Sequence, residues 1–162
     1  MSQIEVTAAI RKSAEDINTY LSDARSLLAF LPEDRFRYVV PEPSGEGPAS
    51  RCRLELHLLR RWWPLLLERS APPDAHTVQF HAPPPLALTL SFHLSPMKAD
   101  RRGPRTAVRL SVAYSLPGGL VGKLLDGLLI EREMLKTWDL VMRRLPIVLE
   151  GPPKSGLRSD EP

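Results

Sequence analysis

The chain has 162 residues, 43% of them hydrophobic and 25% charged, with a net charge of +3. Such a length can bury about two-thirds of the unfolded surface in one core, and the composition excludes a wholly disordered chain. Cys52 is the only cysteine, so neither an intrachain disulfide nor a thiolate zinc site is available, and the thiol reads as a small apolar filler.

Runs such as WWPLLL and LLAFL are too short to cross a bilayer, and MSQIEVTAAIRKSAED lacks an apolar core of signal-peptide length. A cytoplasmic location follows as the expectation. The arginines are scattered, from Arg11 through Arg60 and Arg61 to Arg143 and Arg144, and form no stripe interleaved with aromatics. No nucleic-acid partner is expected on that pattern.

Residues 4–11 alternate Ile4, Val6, Ala8 and Ile10 with polar neighbours, which predicts a strand. Ser13, with Asp16 three residues on, predicts a capped helix whose apolar side holds Ile17, Tyr20 and Leu21. A second short helix over 23–31 ends at Pro32. Phe36, Tyr38 and Val40, then Cys52, Leu54, Leu56 and Leu58, alternate on either side of a PEPSGEGP turn and predict a hairpin. Four further strands are predicted over 61–69, 77–82, 86–95 and 106–115, the last two separated by a KADRRGPR loop. PGG at 117–119 opens a long helix that runs to about Leu145 and loses regularity at Pro146. Residues 1–150 form one domain in this scheme, and the tail 151–162, GPPKSGLRSDEP, is expected to be disordered.

The long helix carries Leu124, Leu128, Glu131, Leu135, Trp138, Met142 and Leu145 in steps of four and three, one carboxylate in an apolar line. Arg132, Glu133, Lys136, Asp139 and Arg143 fall on the opposite half of the wheel. Glu131 therefore reads as buried or pocket-facing, either presenting a carboxyl to a ligand or pairing with an arginine such as Arg61. The histidines fall on polar sides of strands or in a turn, and no metal-ligand spacing, nucleophile triad or phosphate loop is recognisable. No cofactor or metal is expected.

The order strand, two short helices, a run of hairpins and one long C-terminal helix predicts an α+β fold, a curved antiparallel sheet of about six to seven strands gripping that helix. IEVTAAIRKSAEDINTYLSD at the start and SLPGGLVGKLLDGLLIEREMLKTWDLVMRRL at the end resemble the START-like helix-grip superfamily (SRPBCC), in its polyketide cyclase/dehydrase or coenzyme Q-binding-type branch. The resemblance covers about residues 4–149 and implies an apolar ligand, such as a lipid, quinone or polyketide, held between the long helix and the sheet. The sheet wall would then hold Leu54, Leu56, Phe80, Leu90, Phe92, Leu110, Val112 and Tyr114. Leu124, Leu128, Glu131, Leu135 and Trp138 would form the helix wall.

A carrier or sensor of such a ligand is the first expectation. The alternative is an enzyme of cyclase, aromatase or dehydratase type, with Glu131 moving a proton and Tyr114 holding a developing oxyanion. It is weakened because only Glu131, Tyr114 and Tyr38 offer polar groups at inward positions. A third alternative comes from RRWWPLLLE, where Trp62 and Leu66 face outward beside an inward Trp63, Leu65 and Leu67. That face could be a homodimer or protein-partner surface, with the cavity filled by the chain's own side chains.

Overall fold

The computed structural model describes residues 2–42, 50–71, 74–116 and 124–151, with backbone alone for 124–127. Seven strands form one antiparallel sheet: β1 (Ser2–Ile10), β2 (Phe36–Glu42), β3 (Arg51–Leu58), β4 (Arg61–Ser70), β5 (Thr77–Ala82), β6 (Ala87–Asp100) and β7 (Gly103–Ser115). Their order across the sheet is β1-β7-β6-β5-β4-β3-β2. Helix α1 (Ala14–Ser22), a 3₁₀ turn (Ala24–Ser26) and α2 (Leu27–Phe30) join the two edge strands, and α3 (Leu124–Glu150) closes the chain. The α+β helix-grip architecture expected from the sequence is present. Residues 43–48 of the PEPSGEGP turn, the PGG break and the tail beyond Gly151 lie outside the described residues.

Strand alternation sets the core. Cys52, Leu54, Leu56 and Leu58 on β3, Leu88, Leu90, Phe92 and Leu94 on β6, and Val108, Leu110 and Val112 on β7 are all buried on one face. Helix α1 starts as expected, the Ser13 hydroxyl accepting from the Asp16 N–H at 3.1 Å. Helix α3 runs alongside β1 in the same direction. Arg132 to Asp139 flank Glu5 to Thr7, and at the far end the Arg11 N–H donates to the Glu150 carboxylate at 3.1 Å.

Two boundaries differ from the sequence expectation. The KADRRGPR loop is mostly strand, because β6 and β7 continue to Asp100 and Gly103. Arg105 donates to the Lys98 carbonyl at 3.0 and 3.2 Å, the Asp100 carboxylate accepts from the Arg102 N–H at 2.9 Å, and Gly103 supplies a φ of +105° at the turn. Helix α3 also passes through Pro146 to Glu150. Proline removes one backbone bond there, and the partly buried Val148 and Leu149 together with the Glu150–Arg11 contact hold the last turn.

Candidate functional site

The sheet side of the expected cavity is packed. Leu54, Leu56, Phe80, Leu90, Phe92, Leu110 and Val112 are 0 to 1% exposed, as is Trp138 on α3. Surface that a water-sized probe cannot reach has protein atoms against it, so these side chains stand as core, continuous with Leu27, Phe30, Met134 and Val141. A ligand lying among them would require side chains to move. Trp138 meets the edge of Phe36 with ring centroids 5.4 Å apart.

The helix side requires a correction. Leu128 is 67% exposed, Leu135 45%, and Glu131 is exposed as well. The face turned to the sheet is Ile130, Met134, Thr137, Trp138, Val141, Met142 and Leu145. At about 100° per residue, Ile130, Met134 and Val141 lie on one flank of Trp138 and Leu128, Glu131 and Leu135 on the other. The apolar arc is wider than the contact, so the helix can roll either way. Rolling toward the methionine flank leaves the carboxylate in water and avoids its desolvation cost. The Leu124 side chain lies outside the described residues.

Among the described residues Glu131 forms no ion pair with Arg61 or another arginine; the structural tie is made instead by Glu133, whose carboxylate accepts from the Leu59 N–H at 2.8 Å. Leu59 and Arg60 form the two-residue turn of the β3–β4 hairpin, with φ of 55° and 60°. One carboxylate thus ties α3 to that hairpin tip. Arg61 is stacked over the Trp63 ring at 4.5 Å, and the Trp63 indole N–H donates to the Leu58 carbonyl at 3.0 Å.

Tyr114 is 3% exposed on the inner face at the end of β7, across from Ser2. Burial pushes its phenol above the ordinary range, a hydrogen bond with the Ser2 side chain opposes that shift, and the Glu131 carboxylate adds to it. The two groups singled out as an acid-base pair therefore stand within electrostatic reach of each other. Tyr38, the other inward candidate, is 68% exposed. The register slips between Arg37 and Val40, and Tyr38 takes a φ of 55°, so the bulge turns its side chain away from the core.

The outward aromatic patch is smaller than the sequence suggests. Trp62 and Leu66 are half-buried, and the Arg37 guanidinium lies 4.0 Å over the Trp62 ring while His57 stands 4.9 Å from it. The open grooves among the described residues include two, beside this patch and beside α3. One of about 390 Å³ runs past Tyr38, Val40, Leu66 and Pro83 to Pro85, where β4 pairs with β5 only over Glu68–Ser70. The other, about 680 Å³, lies between β1 at Glu5, Val6 and Thr7 and α3 at Arg132, Leu135, Lys136 and Asp139. Sequence analysis had assigned those α3 residues mostly to open solvent. Their spacing of three, one and three was the available signal that they share a wall.

Among the described residues no group of three or more His, Cys, Asp or Glu side chains could hold a metal ion, and no helix is long and apolar enough to cross a membrane. Burial pushes the Cys52 thiol up to about 12, so it is inert.

No family model and no curated protein matches the sequence. Solved structures do match the fold. The solution structure of KanY superposes with a TM-score of 0.70 at 16% identity, over 93% of this chain and 100% of that one. A START superfamily protein from Mycobacterium smegmatis gives 0.64 at 13% identity, over 91% and 97% of the two chains. The di-domain ARO/CYC BexL from the BE-7585A biosynthetic pathway gives 0.63 at 18% identity over 93% of this chain, which spans 47% of BexL. Identities this low carry the fold alone, and the sheet order, the two short helices and the gripped α3 agree with them: this chain has the START-like helix-grip fold.

Proposed function

We propose that the protein binds a hydrophobic small molecule, of lipid, quinone or polyketide type, at the end of the grip marked by the first described turns of α3, whose Glu131 bears electrostatically on Tyr114. The observation that carries this is the uncovered apolar surface of those turns. Leu128 is 67% exposed on the flank that carries Glu131, whose exposed carboxylate bears electrostatically on the buried Tyr114 phenol and could orient a polar head. An apolar ligand covering that leucine gains about 25 cal/mol for each Å² removed from water. A cytoplasmic setting belongs to the same proposal. Native mass spectrometry of the purified chain, then reloading of the delipidated chain with farnesol, dodecanoate or menadione, tests it. A one-to-one complex with at least one probe is expected. Failure of all three to bind up to their solubility would overturn the proposal.

A second reading is favoured by one observation, the electrostatic influence of the Glu131 carboxylate on the buried Tyr114 phenol. A phenol kept protonated and a carboxylate within its electrostatic reach could polarise a carbonyl and accept a proton. Two similar structures carry enzymatic names, the ARO/CYC BexL and norcoclaurine synthase, the latter at 16% identity and a TM-score of 0.58. Under this reading Tyr114→Phe would remove turnover while ligand retention persists.

A further inference from the structure

The two edges of the sheet are built differently. At one edge β2 carries the slip between Arg37 and Val40 and Pro41, devices that keep another strand from pairing. At the other edge β1 pairs with β7 from Ser2 to Ile10 without a break, and contains neither proline nor bulge. Alternate residues of β1 must turn their N–H and C=O groups away from β7. Beside that edge lies the groove of about 680 Å³, with Glu5, Val6 and Thr7 on one side and Arg132, Leu135, Lys136 and Asp139 on the other.

The helix wall is chemically one-sided. Asp139 is engaged by Arg143 at 2.9 Å, and the Glu5 carboxylate accepts from the Ser111 hydroxyl at 3.3 Å. Arg132 and Lys136 are exposed and have no ion pair or hydrogen-bond partner among the described residues. They stand one turn apart, about 6 Å along the helix axis. Alternate side chains of a β-strand are spaced by about 6.7 Å. Leu135, 45% exposed, lies to the sheet side of both on the wall, with the half-buried Val6 on the strand side of the groove.

We infer that this groove receives an extended segment of a protein partner, which adds as an eighth strand to the free edge of β1. The inward side chains of that segment would be an aliphatic residue against Leu135 and Val6 and carboxylates against Arg132 and Lys136. The unpaired strand edge is what selects a peptide over any other anionic amphipath, since backbone pairing needs a second backbone. The inference does not rest on the proposed small-molecule site, because the groove lies along β1 and contains neither Leu128 nor Tyr114.

The probe is a capped, fluorescently labelled heptapeptide, Thr-Val-Thr-Glu-Thr-Glu-Thr, with two companions. One has lysine in place of glutamate, and the other is N-methylated at alternate positions so that its side chains remain but pairing is blocked. Fluorescence anisotropy is expected to show saturable binding of the acidic peptide, weakened at least 10-fold by N-methylation and by Arg132→Glu with Lys136→Glu. Hydrogen exchange should slow at alternate amides within Ser2–Ile10 and nowhere else. Equal binding of the lysine peptide, insensitivity to the double charge reversal, or unchanged exchange in β1 would each overturn the inference. So would sedimentation showing a second copy of the chain in the groove, or displacement of the peptide by dodecanoate with β1 amides still exchanging freely. Circular dichroism of the variant, whose two substituted side chains are exposed, checks that the fold is intact.

Discussion

Two carboxylates two positions apart on α3 have exchanged the roles that their sequence setting suggested. Glu131, in the apolar line, is exposed, while Glu133, in the charged set, accepts a hydrogen bond from the hairpin tip at 2.8 Å. Glu133→Ala leaves the Leu59 N–H without its partner in a partly buried position, so a loss of about 1 to 3 kcal/mol is expected in urea unfolding. Glu131→Leu should leave stability almost unchanged, within about 0.5 kcal/mol, as for other surface positions. Position 131 also separates the two functional readings. Glu131→Gln should keep most ligand affinity if the carboxylate only orients a head group, whereas a rate loss of about 100-fold in a turnover assay would favour the enzyme.

At the scale of elements, α3 shows what the sequence could and could not convey. Trp138, Met142 and Leu145 are buried as the apolar line required; Leu128, Glu131 and Leu135 are not. The line repeats every 3.5 residues while a straight helix turns every 3.6, and the apolar arc was broad enough to admit two rolls. Choosing between them needed the cost of burying Glu131, which periodicity does not weigh. The strands were legible because alternation fixes their faces, and the β6–β7 extension was not, because Arg102 and Arg105 make backbone contacts that composition cannot reveal. The proposed site draws Tyr114, Leu128 and Glu131 from the sequence expectation, whereas the exposure of Leu128 and Glu131 follows from the roll of α3, which the sequence left open. Trp138→Ala should cost about 3 to 5 kcal/mol, since the ring is wholly buried against Phe36. In the β3–β4 turn, Arg60 holds a φ of 60°. Arg60→Gly should therefore stabilise the protein by about 1 kcal/mol, which a shift of the urea midpoint at constant slope would register.

For the whole molecule, the buried groups make stability fall at alkaline pH. The Cys52 thiol ionises near its ordinary 9.0 when unfolded and only at about 12 in the fold, so unfolding releases a proton and stability declines as pH rises above about 9. Tyr20 and Tyr114, raised from 10.0 by burial, extend the decline. The slope of unfolding free energy between pH 9 and 10 should be shallower for Cys52→Ala than for the parent chain. Asp74 and Asp100 act in the opposite sense: both are held below the ordinary 3.8, chiefly by the His76 N–H and the Arg11 side chain. Their contribution is present above that value and is lost as pH falls through it, and it is small because both are open to water. The central claim concerns where an apolar molecule sits on a fold whose expected cavity walls are packed. Titration with a spin-labelled stearate, read by paramagnetic broadening of methyl and ring signals, tests it most directly. Broadening at Leu128 and Tyr114, with Leu27 and Leu67 left sharp, is the predicted result. Sharp signals throughout, or broadening confined to Val40 and Leu66, would contradict it.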